Sequence, residues 1–391
     1  MAVQTLRIVA DENIPYAAEA FGRLGEVISA PGREITRRLV AEADVLVVRS
    51  VTPVGRDLLD GSPVRFVASA TAGIDHIDAA YLERKHIPFA SAAGANAASV
   101  AEYVVAALLE LARRGGFHLE GKSIGVVGVG NIGSRVADKA RALGMRVFEN
   151  DPPLFRKTGD PRYVPFGDLE GVDFLTFHVP LTRGGPDSTY HSADKVLFDW
   201  MERGSVLINT SRGAVVKGAA LAEALDAGEL LGAVLDVWED EPAIDTDLLA
   251  RIDVASPHVA GYSFDGKVAG TMMVFEAASK ALGADVRWDV SDILAPDDAA
   301  PIVIEAAGRD DEEVIAEAVA RFYDINADDA RLRAIAEIAA EERSAYFDRL
   351  RKEYPRRREF GTRELSVPDA DEALLDKLEG LGFSLGASEE G

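Results

Sequence analysis

The stretch Ser123-Ile124-Gly125-Val126-Val127-Gly128-Val129-Gly130-Asn131-Ile132-Gly133 decides the fold, because it predicts a short apolar strand that runs through a glycine turn into a helix. Its pattern is Gly-x-Gly-x-x-Gly. In a dinucleotide-binding fold the first glycine makes the tight turn, the second lets the backbone approach a pyrophosphate, and the third lets the helix pack on the strand. The pyrophosphate then lies at the helix N-terminus. We therefore predict that a dinucleotide contacts Gly128, Gly130, Asn131, Ile132 and Gly133.

The residues that follow this turn indicate which dinucleotide is bound. A helix is predicted over residues 134–143 and a second apolar strand over residues 145–148, and Asp151 comes 18 residues after Gly133. A carboxylate at this place can accept hydrogen bonds from both ribose hydroxyls and would repel a ribose phosphate. The sequence therefore predicts NAD as the cofactor, with Asp151 at the ribose.

The composition limits the class of protein. A chain of 391 residues predicts two or three domains, and the 48% hydrophobic content is that of a globular protein. No signal-peptide pattern or membrane span is recognised, and we expect a cytoplasmic protein. The absence of cysteine excludes disulfides, thiolate nucleophiles and Cys-ligated zinc, and no metal site is predicted. The net charge of -24 argues against binding to nucleic acid or to an anionic membrane.

Alternating strand and helix patterns predict α/β domains in the first two thirds of the chain. Residues 1–95 predict a parallel sheet covered on both faces by helices. Six further strands between Ile124 and Ala255 give the number in a complete dinucleotide-binding sheet.

The last hundred residues predict a third unit. A Pro/Asp-rich stretch at residues 294–298 marks its boundary. The sequence of this unit predicts strands near residues 302–305 and 363–367, and a longer helical region over residues 330–352.

Charged residues follow three of the predicted strands, where ligands bind in open parallel sheets. They are Arg212, Glu241 and His258. A histidine can accept and return the proton of a hydroxy acid while hydride leaves for the cofactor. A carboxylate on its other ring nitrogen would stabilise the imidazolium, and an arginine fork suits the substrate carboxylate. From the residues alone, Glu239 competes with Glu241 for this role and Arg212 could merely cap a helix.

Four segments resemble the signature blocks of the D-isomer-specific 2-hydroxyacid dehydrogenase family. They are residues 128–133, 209–216, 236–242 and 257–262. The resemblance implies that Arg212, Glu241 and His258 are catalytic. It also implies further NAD contacts from Val179, Thr210, Ser211, Asp236 and Gly261.

The resemblance implies an α/β fold of two doubly wound parallel-sheet domains with a small C-terminal α/β dimerisation domain. The flavodoxin-like substrate domain would consist of residues 1–95 and 262–290, and the chain would return to it after the NAD domain. Residues 96–261 would form the Rossmann NAD domain, and residues 291–391 the dimerisation domain.

Further segments resemble members of the family that act on a phosphorylated hydroxy acid; they are residues 9–16, 48–52, 70–73, 350–352 and 357–359. This likeness implies a homodimer and places Ser50, Thr71 and Tyr262 near the substrate. A doubly anionic substrate needs a local basic focus in so acidic a protein, and Arg49 is one candidate. A second is the C-terminal arginine cluster, which comprises Arg349, Arg351, Arg356, Arg357 and Arg358. Another D-2-hydroxyacid dehydrogenase, or an NAD(H)-sensing corepressor on the same fold, remains an alternative.

Overall fold

The chain divides into two compact units in the computed structural model. One consists of Met1–Asn96 with Ser263–Ala295, and the other of Ala97–Tyr262 with Pro296–Gly391. The structure describes residues 5–284, 286–296 and 299–386, so positions 297 and 298 of the predicted Pro/Asp-rich boundary lie outside the described residues. The further division of the second unit into an NAD domain and a C-terminal domain stays a prediction.

The first unit contains a parallel sheet in the order β2-β1-β3-β4-β5. Strands β3 and β4 are buried at every position, because helices cover both faces of the sheet. The strands are β1 (Leu6–Asp11), β2 (Gly25–Ala30), β3 (Val45–Val48), β4 (Phe66–Ser69) and β5 (Phe89–Ser91). The helices are α1 (Ala17–Phe21), α2 (Arg37–Val40), α3 (Arg56–Leu59), α4 (Ala79–Arg84) and, after the second unit's first segment, α11 (Phe264–Ala281).

The second unit contains a six-stranded parallel sheet in the order β11-β10-β9-β8-β6-β7. Its strands are β6 (Ser123–Val127), β7 (Arg146–Asn150), β8 (Phe174–Phe177), β9 (Ser205–Asn209), β10 (Leu230–Leu235) and β11 (Val254–Ala255). Its helices are α5 (Ala97–Gly115), α6 (Asn131–Ala142), α7 (Pro152–Thr158), α8 (Lys195–Trp200), α9 (Gly218–Asp226) and α10 (Thr246–Leu249). Strand β6 pairs with both β7 and β8, and the strand order reverses there. Ligands bind at such a switch point, beyond the carboxyl ends of the strands.

The C-terminal part of the second unit carries a small parallel sheet in the order β12-β13-β14. The elements are β12 (Ile302–Val303), α12 (Asp311–Phe322), α13 (Ile325–Arg333), α14 (Arg343–Lys352), β13 (Glu364–Ser366), α15 (Glu372–Gly380) and β14 (Ser384–Leu385). The prediction of one continuous helical region over residues 330–352 is wrong. Helix α13 starts before residue 330, and two 3-10 turns separate it from α14. This break lets Ile335 and Phe347 both pack in the apolar core.

The predicted fold class is confirmed by this architecture. The molecule has two parallel sheets of five and six strands and a small C-terminal α/β portion with three strands. Among the described residues, no helix is long and apolar enough to cross a membrane.

Candidate active site

His258 and Glu241 form a hydrogen-bonded pair beyond the carboxyl ends of β10 and β11. The Nδ1 atom of His258 lies 2.5 Å from Oε1 of Glu241. His258 has a φ of 58°, in the left-handed region that a non-glycine residue seldom adopts. Such conformations are retained where the surroundings dictate them, commonly at functional sites. The pair has the arrangement of a histidine base with its orienting carboxylate.

Asp236 holds the backbone of the His258 loop. Its buried Oδ1 accepts hydrogen bonds from Ser256 Oγ at 2.6 Å, from Val259 N–H at 2.7 Å and from Ala260 N–H at 3.0 Å. Its backbone carbonyl accepts the N–H of His258 at 2.6 Å. Burial raises the pKa of Asp236, although the positive charge that His258 can carry and these hydrogen bonds act in the opposite direction. The structure therefore shows this predicted cofactor residue as an anchor of the histidine loop.

The carboxylate of Glu241 is held in its ionised form. Burial raises its pKa, but His258 and Arg351 together outweigh burial, and the pKa of Glu241 lies below its usual value. An ionised carboxylate on Nδ1 fixes the tautomer of the imidazole and stabilises its protonated form.

Glu239, the competing carboxylate, belongs to a different pair. Its Oε1 lies 2.5 Å from Nε2 of His191, and its Oε2 accepts the N–H of Gly218 at 3.1 Å. The structure thus pairs Glu241 with His258, whereas Glu239 pairs with His191.

Arg212 lies in the loop after β9, in extended backbone just before a 3-10 turn. Its Nη1 donates a hydrogen bond to the carbonyl of Ser211 at 2.7 Å. The loop is held by Asn209, whose Oδ1 accepts from Ser211 N–H and Oγ and whose Nδ2 donates to the Arg212 carbonyl at 3.0 Å. The asparagine therefore fixes the backbone that presents the arginine.

The glycine turn fits a dinucleotide. Gly128 has a φ of 87°, and a Cβ on Gly133 would lie 1.9 Å from the carbonyl oxygen of Gly128, so neither position accepts a side chain without strain. A Cβ on Gly130, by contrast, would meet no described atom within 4 Å. Gly130 and Asn131 are exposed at the N-terminal end of α6, and Ile132 follows in its first turn. Open space above exposed helical N–H groups is what a pyrophosphate requires.

Asp151 connects the glycine turn to α7. Its Oδ2 accepts the N–H of Val129 and its Oδ1 accepts the N–H of Leu154, both at 2.9 Å. Each carboxylate oxygen has a second lone pair, so the group can still accept ribose hydroxyls. Asp151 would hold the glycine turn and the ribose together.

His178 lies at the switch point, after β8. Its Nε2 is 3.0 Å from Thr176 Oγ1, and its Nδ1 is 3.2 Å from Oγ1 of the predicted cofactor residue Thr210. Burial lowers the pKa of His178 to about 3, which keeps the ring neutral at physiological pH. The neighbouring Val179 approaches the glycine turn, because a Cβ on Gly128 would come within 2.7 Å of its Cγ1.

In the first unit, Arg49 is fixed by a carboxylate that the sequence analysis missed. Arg49 Nε donates to Oδ2 of the fully buried Asp11 at 2.9 Å, and Nη2 donates to its Oδ1 at 3.4 Å. The Arg49 side chain remains 29% exposed. Asp11 is the last residue of β1, so its position at the carboxyl end of a strand was the signal that could have identified it.

The other residues predicted near the substrate lie in loops. Ser50 is exposed, directly after Arg49. The hydroxyl of Thr71 lies 3.0 Å from Ser69 Oγ, which is 3.1 Å from His76 Nε2. In the second unit, Tyr262 follows the predicted cofactor residue Gly261 at the end of the His258 loop, and its N–H donates to the carbonyl of Val259 at 2.8 Å.

A parallel sheet with a glycine turn at its switch point and a histidine–carboxylate pair at its carboxyl edge defines a dinucleotide-dependent oxidoreductase. The model of the NAD-binding domain of D-isomer specific 2-hydroxyacid dehydrogenases matches residues 96–260, and a domain of unknown function matches residues 297–382. The chain belongs to the D-isomer specific 2-hydroxyacid dehydrogenase family. NAD is its cofactor.

The relatives cover nearly the full length. An erythronate-4-phosphate dehydrogenase from Salinibacter ruber is 49% identical over 91% of this chain and 93% of its own length. One from Edwardsiella ictaluri is 45% identical over 97% of this chain and 99% of its own length. Within its family, the chain therefore belongs with the erythronate-4-phosphate dehydrogenases.

Solved structures show the same fold. The TT0316 protein of Thermus thermophilus is 25% identical with a TM-score of 0.61 and covers 71% of this chain and 97% of its own. The NAD-dependent formate dehydrogenase of Staphylococcus aureus, solved with NAD, is 24% identical with a TM-score of 0.59 and covers 73% of this chain and 98% of its own.

Proposed function

We propose that this protein catalyses the NAD-dependent oxidation of 4-phospho-D-erythronate to (R)-3-hydroxy-2-oxo-4-phosphooxybutanoate, a step of pyridoxal 5'-phosphate biosynthesis. The observation that carries the proposal is the 2.5 Å contact between His258 and Glu241 in a chain so similar to erythronate-4-phosphate dehydrogenases. The predicted cytoplasmic location belongs to this proposal.

His258 acts as the general base in this reaction. Because Nδ1 is bonded to Glu241, the other ring nitrogen takes the proton of the substrate's 2-hydroxyl. The ionised Glu241 stabilises the imidazolium that results, and in the reverse direction the imidazolium returns the proton. NAD, when bound, supplies the acceptor for the hydride of the carbinol carbon.

Arg212 binds the substrate carboxylate. Its planar guanidinium matches a carboxylate in a paired geometry, and its charge polarises the neighbouring oxygen as the carbonyl forms. The hydrogen bonds that Asn209 makes to this loop support the role, since they fix the backbone on both sides of the side chain.

Arg49, Ser50, Thr71 and Tyr262 bind the rest of the substrate. A phosphate has several acceptor oxygens, which suit the guanidinium of Arg49 and the hydroxyls of Ser50 and Thr71. The Asp11 carboxylate supports this assignment because it accepts hydrogen bonds from Nε and Nη2 of Arg49 and so fixes the guanidinium. A fixed fork loses less conformational entropy when it binds.

We assign the cofactor contacts to the glycine turn and to the loops around it. The exposed start of α6 supports Gly130, Asn131 and Ile132 as the phosphate site. The remaining cofactor residues are Gly128, Gly133, Asp151, Val179, Thr210, Ser211, Asp236 and Gly261.

The C-terminal part is proposed to form a homodimer. Val303 in β12 is 55% exposed, and β12 pairs on one side with β13 as an outer strand of the small sheet. An exposed apolar side chain on an unpaired strand edge favours contact with a second copy. Light scattering coupled to size exclusion tests the proposal, and a monomeric mass at micromolar concentration would refute it.

The activity is tested by following NADH formation by absorbance with 4-phospho-D-erythronate, 3-phospho-D-glycerate and D-lactate. A keto-acid acceptor is tested alongside, because tightly held reduced cofactor would hide turnover. Selective turnover of the erythronate, lost by a factor of about 10² to 10⁴ in His258→Asn, is expected. Preference for another acid would change the substrate, and no turnover with any acid would favour the corepressor.

A further inference from the structure

A C-terminal segment contacts the loop that carries His258. The guanidinium carbon of Arg351 lies 5.7 Å from the ring centroid of Tyr262, and the ring of Tyr354 meets that of Tyr262 edge-on at 5.8 Å and 86°. Arg357 Nη1 donates to the carbonyl of Ala260 at 3.3 Å. The loop is thus held by residues that follow it by about ninety positions along the chain.

The same segment is itself anchored in the second unit. The hydroxyl of Tyr354 donates to Oδ2 of Asp328, a carboxylate that is buried, at 2.7 Å. The buried Arg357 also donates to the carbonyl of Ser99 at 2.9 Å and lies over the ring of Tyr323 at 3.7 Å. The segment can therefore act as a rigid support.

Arg351 places positive charge beside the histidine–carboxylate pair. Its Nε is buried and has no hydrogen-bond partner in the part of the chain that the structure describes, and the same holds for Oε2 of Glu241. Burial disfavours its charge, yet Tyr262 and Glu241 raise the pKa of Arg351 above its ordinary value. In turn Arg351 is one of the groups that lower the pKa of Glu241.

We propose that Arg351 is a positioning residue for the proposed reaction: its guanidinium fixes the ring of Tyr262 and balances the charge of Glu241, so that Glu241 stays directed at His258. Arg351 acts through these two residues. The inference rests on the proposed function in one respect, the role of His258 as base.

The sign of the effect follows from the charges around the pair. The titratable and charged side chains beside the pair include Asp236, Tyr262 and Arg351. Arg351 is the cation that α14 adds to this set. Without it, the ionised form of Glu241 loses a stabilising positive charge, and the pKa of Glu241 rises.

The first test follows the glutamate carboxyl carbons by NMR as a function of pH in the protein without substrate, with the Glu241 signal assigned from its loss in Glu241→Gln. In Arg351→Met the titration midpoint of Glu241 should rise by roughly half a pH unit or more. Arg351→Lys keeps the charge and should stay near the wild type. Lys352→Met removes an equal charge from an exposed position of α14 and should also leave the midpoint in place. Arg351→Gln replaces the methionine variant if that protein does not fold.

The second test measures NADH formation as a function of substrate concentration. The kcat of Arg351→Met should fall about tenfold with little change in KM, whereas Arg351→Lys should keep most of the wild-type kcat. An unchanged midpoint of Glu241, or a raised KM with an unchanged kcat, would overturn the proposal, the latter because it would make Arg351 a substrate ligand. If the wild type oxidises none of the acids, the proposed function fails, while the NMR titration still decides the role of Arg351.

Discussion

His191 and Glu239 form a second histidine–carboxylate pair in the NAD-binding unit, with 2.5 Å between Nε2 and Oε1. Tyr190 stacks on the His191 ring at a centroid distance of 4.0 Å, and Arg183 lies over Tyr190 at 4.1 Å. The Glu239 carboxylate also receives the N–H of Gly218. Both of its oxygens are therefore used in holding loops together.

Two isosteric variants distinguish the roles of the Glu241 and Glu239 carboxylates. Glu241→Gln removes the charge that stabilises the imidazolium, so kcat/KM should fall by a factor of about 10² to 10⁴. Glu239→Gln leaves His258 and its partner in place and should lower kcat/KM less than tenfold, an estimate for weakening one hydrogen bond between loops. Steady-state NADH formation measures both. Equal losses would mean that Glu239 shares in the proton transfer.

The glycine turn gives a prediction that separates cofactor binding from stability. Gly130→Ala adds a methyl group where no described protein atom lies within 4 Å, so Tm should be unchanged. If the pyrophosphate occupies that space, NAD affinity should fall by about tenfold or more, as measured by quenching of protein fluorescence.

Gly133→Ala is the contrasting variant. Its Cβ would lie 1.9 Å from the carbonyl oxygen of Gly128, so the helix must move away from the strand and Tm should fall. A Gly130→Ala protein with normal NAD affinity would move the pyrophosphate away from this turn.

Glu102 in α5 should make stability depend on pH. Burial raises its pKa to about 7 from an ordinary value of 4.5, and although Arg357 opposes the shift, Glu359 adds to it. The folded state therefore binds this proton more tightly than the unfolded state does. The free energy of unfolding should fall by roughly 3 kcal/mol as the pH rises from about 4.5 to 7, and stay level above.

Calorimetric Tm values across this pH range test the prediction. Glu102→Gln should flatten the decline, because the amide carries no proton to lose. Glu110→Gln on the same helix is the control. Burial acts against ionisation there too, but Arg113 and Arg114 lower the pKa of Glu110 to about 2, so its contribution is lost only when the pH falls below about 4.5. A slope that survives in Glu102→Gln would have to come from another group.

Local patterns predicted the sheets, because each buried strand is a short apolar run closed by polar or turn residues. The bounds of β3 and β8 follow directly from the runs at residues 45–48 and 174–177. The break between α13 and α14 has no glycine or proline to mark it and arises from packing.

In the candidate site, sequence spacing named His258 but could not choose between Glu239 and Glu241 without the family resemblance. Contacts between distant parts of the chain could not be predicted from the sequence. Arg357 meets Ser99 across 258 positions, and no local pattern encodes such a pairing.

Arg49 and Asp11 give a prediction about the substrate phosphate. Arg49→Met removes the fork, and KM for 4-phospho-D-erythronate should rise by about tenfold to a hundredfold, since a charge-assisted hydrogen bond contributes about 1.5 to 3 kcal/mol. Asp11→Asn keeps the guanidinium but weakens its anchor, so KM should rise by a smaller factor. NAD affinity should not change in either variant, because both residues lie in the first unit.

Arg65→Met is the matched control for this pair. It removes the same charge from the same unit. The Arg65 side chain is 56% exposed, and its Nε lies 3.5 Å from Oδ1 of Asp44, so this pair is more exposed and more loosely held than Arg49 and Asp11. KM should therefore stay near the wild-type value. A rise in Arg65→Met equal to that in Arg49→Met would show that the phosphate responds to the overall charge of the unit. A rise confined to Arg49→Met and Asp11→Asn would instead place the phosphate at the guanidinium that Asp11 holds.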